Sequence, residues 1–89
     1  MNKIMLITTK GCEACDIMKN NILEALCSTT KDISIEIKDR EDIDKEELKK
    51  LNVTDFPTIL FYNNNVLKYK YSGTRPKVVV LRWIDIYLT

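Results

Sequence analysis

The stretch NVTDFPTILFYNNN, Asn52 to Asn65, decides the fold. Its centre, TILFY at 58–62, is an unbroken apolar run with β-branched and aromatic members, the pattern of a strand buried on both faces. Three asparagines follow at 63–65, and asparagine tolerates left-handed backbone best after glycine, so the strand ends in a turn. VLKYKYS at 66–72 then alternates apolar and polar residues and closes an antiparallel hairpin. Pro57 stands at the head of the buried strand. By base rate such a proline is trans, since only about 5% of X–Pro bonds are cis.

Downstream, Gly73 breaks the hairpin, and TRPKVVVLRWIDIYL at 74–88 begins with Thr74 and Pro76, a helix-start signal. Its valines carry weak helix propensity, so tertiary packing must hold the first turn of this C-terminal helix. Upstream, DKEELKKL at 44–51 places Asp44 three residues before Glu47, a capping-box pattern that predicts a short helix with Leu48 and Leu51 inward. ISIEIKD at 33–39 alternates strictly, with Ile33, Ile35 and Ile37 on one face, and predicts an edge strand. KIMLIT at 3–8 is a second continuous apolar run. Between these lies TTKGCEACDIMKNN at 8–21, where Cys15, Met18, Ile22 and Leu26 mark one stripe of a helix over about 12–27.

The order is β-α-β-α-β-β-α, an α/β fold. Continuous runs belong in the middle of a sheet and alternating runs at its edges, which predicts a four-stranded mixed sheet of order 2-1-3-4 with three helices. The first βαβ unit is then a right-handed parallel crossover. At 89 residues the chain has room for one core, so residues 1–89 are read as a single domain.

Composition narrows the function. Fourteen basic residues against thirteen acidic ones leave a formal charge of +1, which offers no argument for nucleic acid or an anionic membrane surface. The N-terminus lacks the apolar core of a secretory signal, and no run is long enough for a membrane span. Three cysteines are too few for a stapled secreted scaffold, so the expected setting is cytoplasmic with reduced thiols. The absence of histidine removes the commonest general base and the commonest non-cysteine zinc ligand. Cys27 reads as a small buried hydrophobe, and Tyr69, Tyr71, Trp83 and Tyr87 as packing residues. Arg75 and Lys77 read as helix-start surface.

With these elements in place, the chain resembles the thioredoxin-fold superfamily in its small, glutaredoxin-like version. Three features carry the resemblance: the CxxC of Cys12-Glu13-Ala14-Cys15 between the first strand and first helix, NVTDFPTILFYNNN, and the closing hairpin–Gly73–helix. In such proteins the proline before the third strand is cis and faces the CxxC, a role that falls to Pro57. The backbone of Phe56 would then pair with an extended substrate segment, beside Gly73 and Thr74. Some positions depart from the family's patterns. Gly73 is single and followed by Thr74 and Arg75, where glutaredoxins carry a Gly-Gly pair and then an aspartate. The buried acid that thioredoxins carry six residues before the first cysteine is Leu6, and their tryptophan just before the motif is Gly11.

The resemblance implies a small thiol–disulfide oxidoreductase that reduces protein disulfides and works with no bound cofactor beyond the redox-active pair Cys12–Cys15. Cys12 at the helix start would be the nucleophile, because a helix N-terminus favours the thiolate. Cys15, one turn further in, would resolve the mixed disulfide. Lys10, Gly11, Glu13 and Ala14 would tune the pair; Glu13 beside the thiolate opposes the helix dipole, and Lys10 would offset Glu13 if its side chain turns toward the motif. Regeneration would fall to a reductase or to glutathione, and the protein would act as a monomer. The alternatives are a thioredoxin-fold binding module without turnover, and a metal- or iron–sulfur-binding glutaredoxin-like protein. A structural zinc site wants four Cys or His ligands, so with three cysteines and no histidine it would need a second chain.

Overall fold

Two continuous apolar segments pair with each other at the centre of a sheet, and two alternating ones flank them. The structure, a computed structural model, describes residues 1–88. Strand β1 (Asn2–Thr8) leads into helix α1 (Glu13–Ser28), then β2 (Ile33–Asp39), a 3-10 turn at Arg40–Asp42, and α2 (Lys45–Lys50). Strands β3 (Thr58–Asn63) and β4 (Val66–Ser72) follow, then α3 (Lys77–Tyr87). The sheet order is β2-β1-β3-β4, as expected. β1 runs parallel to β2 and antiparallel to β3, and β3 runs antiparallel to β4.

The hairpin turn is a two-residue loop. Asn63 pairs with Val66, and Asn64 and Asn65 have φ of 52° and 67°. Positive φ at both central residues matches the right-handed twist of the strands, which explains the run of asparagines.

Alternation sends neighbouring strand residues to opposite faces. One face buries Ile4, Leu6, Ile59 and Phe61 under Met18, Ile22 and Ala25 of α1 and Val80, Ile84 and Leu88 at α3. Aromatic rings from β4 and α3 complete it: Tyr69 stacks on Tyr87 at 4.5 Å, and Trp83 meets Phe61 edge-on at 6.0 Å. The other face buries only Met5, Ile7, Leu60 and Val53, with Ile43, Leu48, Leu51, Phe56 and Tyr62 half-covering them. Its single helix, α2, has six residues.

Several local expectations are corrected. Cys27 is exposed rather than packed, because it falls outside the buried stripe of α1. That stripe runs Cys15, Met18, Ile22, Ala25, with Leu26 only half-buried beside it. Ile37 shares the face of Ile33 and Ile35 but is exposed at the sheet edge. Asp44 caps α2 through the Glu46 N–H at 3.2 Å, rather than through the Glu47 N–H of a capping box. Pro76 is the N-cap of α3, one position before its first helical residue. No helix among the described residues is long and apolar enough to cross a membrane.

Candidate active site

The strand register brings three segments to one end of the sheet. Thr8 ends β1 opposite Asp39, Ile7 pairs with Thr58 at the start of β3, and Thr58 pairs with Ser72 at the end of β4. The turn carrying Cys12, the loop carrying Pro57, and Gly73 with Thr74 therefore share that end. In the first of these, Gly11 takes φ +66°, a left-handed turn that lets the chain reverse from β1 into α1. No atom lies near its missing Cβ, so the requirement is conformational.

Cys12 is the N-cap of α1, and its Sγ accepts the backbone N–H of Cys15 at 3.0 Å. Sulfur here does the work that a serine or aspartate oxygen does at other helix starts. Cys12 and Cys15 are joined in a disulfide, their Cα atoms 5.2 Å apart. The two ends differ in access: Cys12 is half-buried, whereas Cys15 retains 3% of its surface. Glu13 is exposed in the first turn with Asp16, where carboxylates complement the helix dipole, and Ala14 is half-buried. The Lys10 ammonium pairs with Glu41 at 3.2 Å, linking the CxxC turn to the segment after β2.

The Phe56–Pro57 peptide bond is cis, as the resemblance implies. A hydrogen-bonded knot holds it. The Gly73 N–H donates to the Pro57 carbonyl at 2.8 Å, and the Thr58 hydroxyl donates to the Asp55 carbonyl at 2.6 Å. Thr58 has one proton, so the Ser72 hydroxyl, 2.8 Å away, donates to the Thr58 oxygen. Thr58 is the only buried polar residue described, and its hydroxyl is satisfied on both sides. Gly73 has φ +120°, and a Cβ there would meet the Tyr71 ring at 3.4 Å. Thr74 beside it is half-buried. Further back, Lys70 of β4 donates to the carbonyls of Leu51 and Asn52 at 3.1 and 2.9 Å, anchoring the end of α2 where the loop begins. Sequence reasoning missed Thr58, Ser72 and Lys70 as site supports. The Pro-Thr pair could have pointed to Thr58, but nothing local marks Ser72 or Lys70.

Phe56 is half-buried, and among the described residues its backbone N–H and carbonyl have no hydrogen-bond partner. Leu6, in the place of the family's buried acid, lies fully inside the main core. No group of three or more Cys, Asp or Glu side chains able to hold a metal occurs among the described residues.

A strand, a CxxC at the start of a helix and a cis proline at the same sheet end define the class: a thioredoxin-fold domain carrying a redox-type dithiol pair. The chain belongs to the thioredoxin family, whose model matches residues 2–86. Among solved structures it is similar to a thioredoxin-2 described as a component of malaria parasite protein secretion machinery. That match has a TM-score of 0.83 at 16% identity, covering 97% of this chain and 82% of the other. A second structure, described only as a malarial protein, matches with a TM-score of 0.82 at 17% identity, covering 100% of this chain and 99% of the other. At such identities the likeness is one of fold. No curated protein matches the chain at a significant level.

Proposed function

We propose that the protein reduces protein disulfides by dithiol exchange, with Cys12 as nucleophile and Cys15 as resolving thiol. One observation carries the assignment: Cys12 is the more accessible sulfur and already accepts an N–H at the start of α1. In the reduced protein the same N–H and the helix dipole favour the Cys12 thiolate, the form that attacks. Attack on a substrate disulfide forms a mixed disulfide and expels one substrate thiolate. The Cys15 thiolate then attacks the Cys12 sulfur, expels the second substrate thiolate and closes Cys12–Cys15. Two electrons pass to the substrate, which takes up two protons. A dithiol reductase or two molecules of glutathione return the two electrons. The free backbone groups of Phe56, at the sheet end that carries the CxxC, suit pairing with an extended substrate strand. The dithiol needs no further cofactor. We place this chemistry in a reducing, cytoplasmic setting with the chain acting as a monomer.

The test is insulin reduction with dithiothreitol as electron donor. The wild type accelerates insulin precipitation, and Cys12→Ser reduces it to the rate of dithiothreitol alone. Cys15→Ser accumulates mixed disulfides with its substrate, visible on a non-reducing gel. A wild type no faster than dithiothreitol would favour the binding-module reading. One bound metal per chain, held through both cysteines, would favour the metal-binding one. Regeneration by thioredoxin reductase with NADPH, against regeneration by glutathione, identifies the electron donor.

A further inference from the structure

Beside the cis proline, on the thinly covered face, lies an open groove of about 400 Å³. Its apolar lining comes from Ile43, Leu48, Val53 and Phe56, and two cations, Arg40 and Lys45, also border it. Phe56 is at once a wall of the groove and the residue whose backbone precedes Pro57. A strand paired there would therefore place a flanking side chain at the groove. Glu41 also lines it, but its carboxylate is engaged by Lys10 at 3.2 Å. Neither Arg40 nor Lys45 has a carboxylate within ion-pair distance among the described residues. The guanidinium of Arg40 instead sits 5.6 Å from the centre of the Phe56 ring. The acids nearest in sequence are otherwise disposed: Asp39 caps the Glu41 N–H, Asp44 caps the Glu46 N–H, and Asp42, Glu46 and Glu47 are exposed outside the lining. An apolar floor with unpaired cations at its rim complements two side chains on one face of a strand, apolar at one position and anionic two residues on.

We infer that this groove selects the substrate, with Arg40 and Lys45 as specificity-determining residues for disulfides whose flanking sequence places an acidic residue two positions from a bulky apolar one. The inference rests on the proposed disulfide reduction and names the substrate class for it. The apolar side chain seats on Ile43, Leu48 and Val53, and the carboxylate reaches Arg40 and Lys45. The reaction itself is unchanged: the substrate disulfide gains two electrons and two protons as Cys12–Cys15 forms.

The test compares peptide disulfides identical but for two positions beside the reactive cysteine, separated by one serine so that both face the groove; named by those two positions they are Leu-Glu, Leu-Lys and Ala-Glu. Wild-type kcat/KM is expected to favour Leu-Glu over Leu-Lys by about fivefold to tenfold at low salt, the worth of one or two exposed charge contacts. Half-molar salt narrows the gap, because screening weakens exposed pairs. Ala-Glu falls below Leu-Glu. Arg40→Glu and, separately, Lys45→Glu shrink or invert the Leu-Glu to Leu-Lys ratio, which is read within each protein so that overall activity cancels. A wild-type ratio within twofold of one, or a ratio unmoved by both variants, overturns the inference. Binding is read independently of turnover with peptides carrying serine for cysteine. The Leu-Glu peptide is expected to shift the amide resonances of Ile43, Leu48 and Phe56 more than the Leu-Lys peptide does. Groove binding with that preference but without turnover would overturn disulfide reduction alone; equal shifts by both peptides would overturn the groove.

Discussion

The two faces of the sheet are built by opposite means. Toward α1 and α3, ten fully buried residues and a set of interlocked aromatic rings form a deep apolar core. Toward α2, four buried residues lie under a helix of six residues. The remainder of that face is finished with polar groups. Lys3 pairs with Glu36 at 2.9 Å and lies 5.8 Å from the centre of the Tyr62 ring, and Lys38 reaches the same Glu36 at 3.6 Å. Burial, with help from the Glu47 charge, pushes the Tyr62 hydroxyl above its ordinary pKa. Stability is thus concentrated on one face. The other is left open enough for a groove to form beside the cis proline, and it is the face with fewer buried apolar side chains to hold it in place.

Cutting into each core separates the two contributions. Phe61→Ala removes a fully buried ring that touches Tyr69, Trp83 and Tyr87, and is expected to cost about 3–5 kcal/mol by urea denaturation. Leu48→Ala, on the half-covered helix α2, is expected to cost about 1–2 kcal/mol, because a partly exposed side chain leaves less cavity and less transferred area. Equal losses would mean that the thin face contributes as much as the thick one.

The same contrast explains what the sequence made readable. Strands 58–62 and 3–8 announced themselves as central because both their faces are covered, so apolar residues run without a break. The β2 and β4 segments alternate because an edge strand keeps one side in partial contact with water. Local chemistry also marked the CxxC, the asparagine turn and Pro57. What the sequence hid was long-range or rotational. Cys27 looked buried by residue type, yet helix geometry turns it about 140° away from Ile22. Periodicity, given more weight than composition, would have placed it outside. The supports at Thr58, Ser72 and Lys70 depend on a register between strands, and no single segment contains it. The groove depends on how α2 sits on the sheet, which a capping signal cannot specify.

Thr58 tests where the thin face becomes rigid. Its hydroxyl ties Asp55 to Ser72 across the cis-proline loop, and Thr58→Val keeps the shape while removing the donor. The Asp55 carbonyl and the Ser72 hydroxyl each lose a partner, but both residues are exposed and water can replace it, so the cost is about 0.5–1.5 kcal/mol. Insulin reduction should fall with it, since the backbone of Phe56 is set by the same loop. A variant with lower stability and full activity would show that the knot serves folding alone.

The smallest expected effect lies in the ion pairs that finish the thin face. The hydrogen bond from Lys3 holds the Glu36 carboxyl below its ordinary value of 4.5, with the charges of Lys3 and Lys38 adding to it. A carboxylate whose folded pKa is depressed stabilises fully above its unfolded pKa, and that contribution disappears as pH falls through the folded value. Glu36→Gln is therefore expected to lower stability at neutral pH and to converge with the wild type in acid, below the ordinary carboxylate range. Both partners keep 38% of their side-chain surface in water, so screening limits the difference to well under 1 kcal/mol. Urea titrations of both proteins from pH 7 to pH 3 read the difference directly, which removes the titration of the other acidic residues. A gap that stayed constant across that range would assign the effect to the hydrogen-bond geometry of the head group rather than to its charge, since glutamine keeps the same stem.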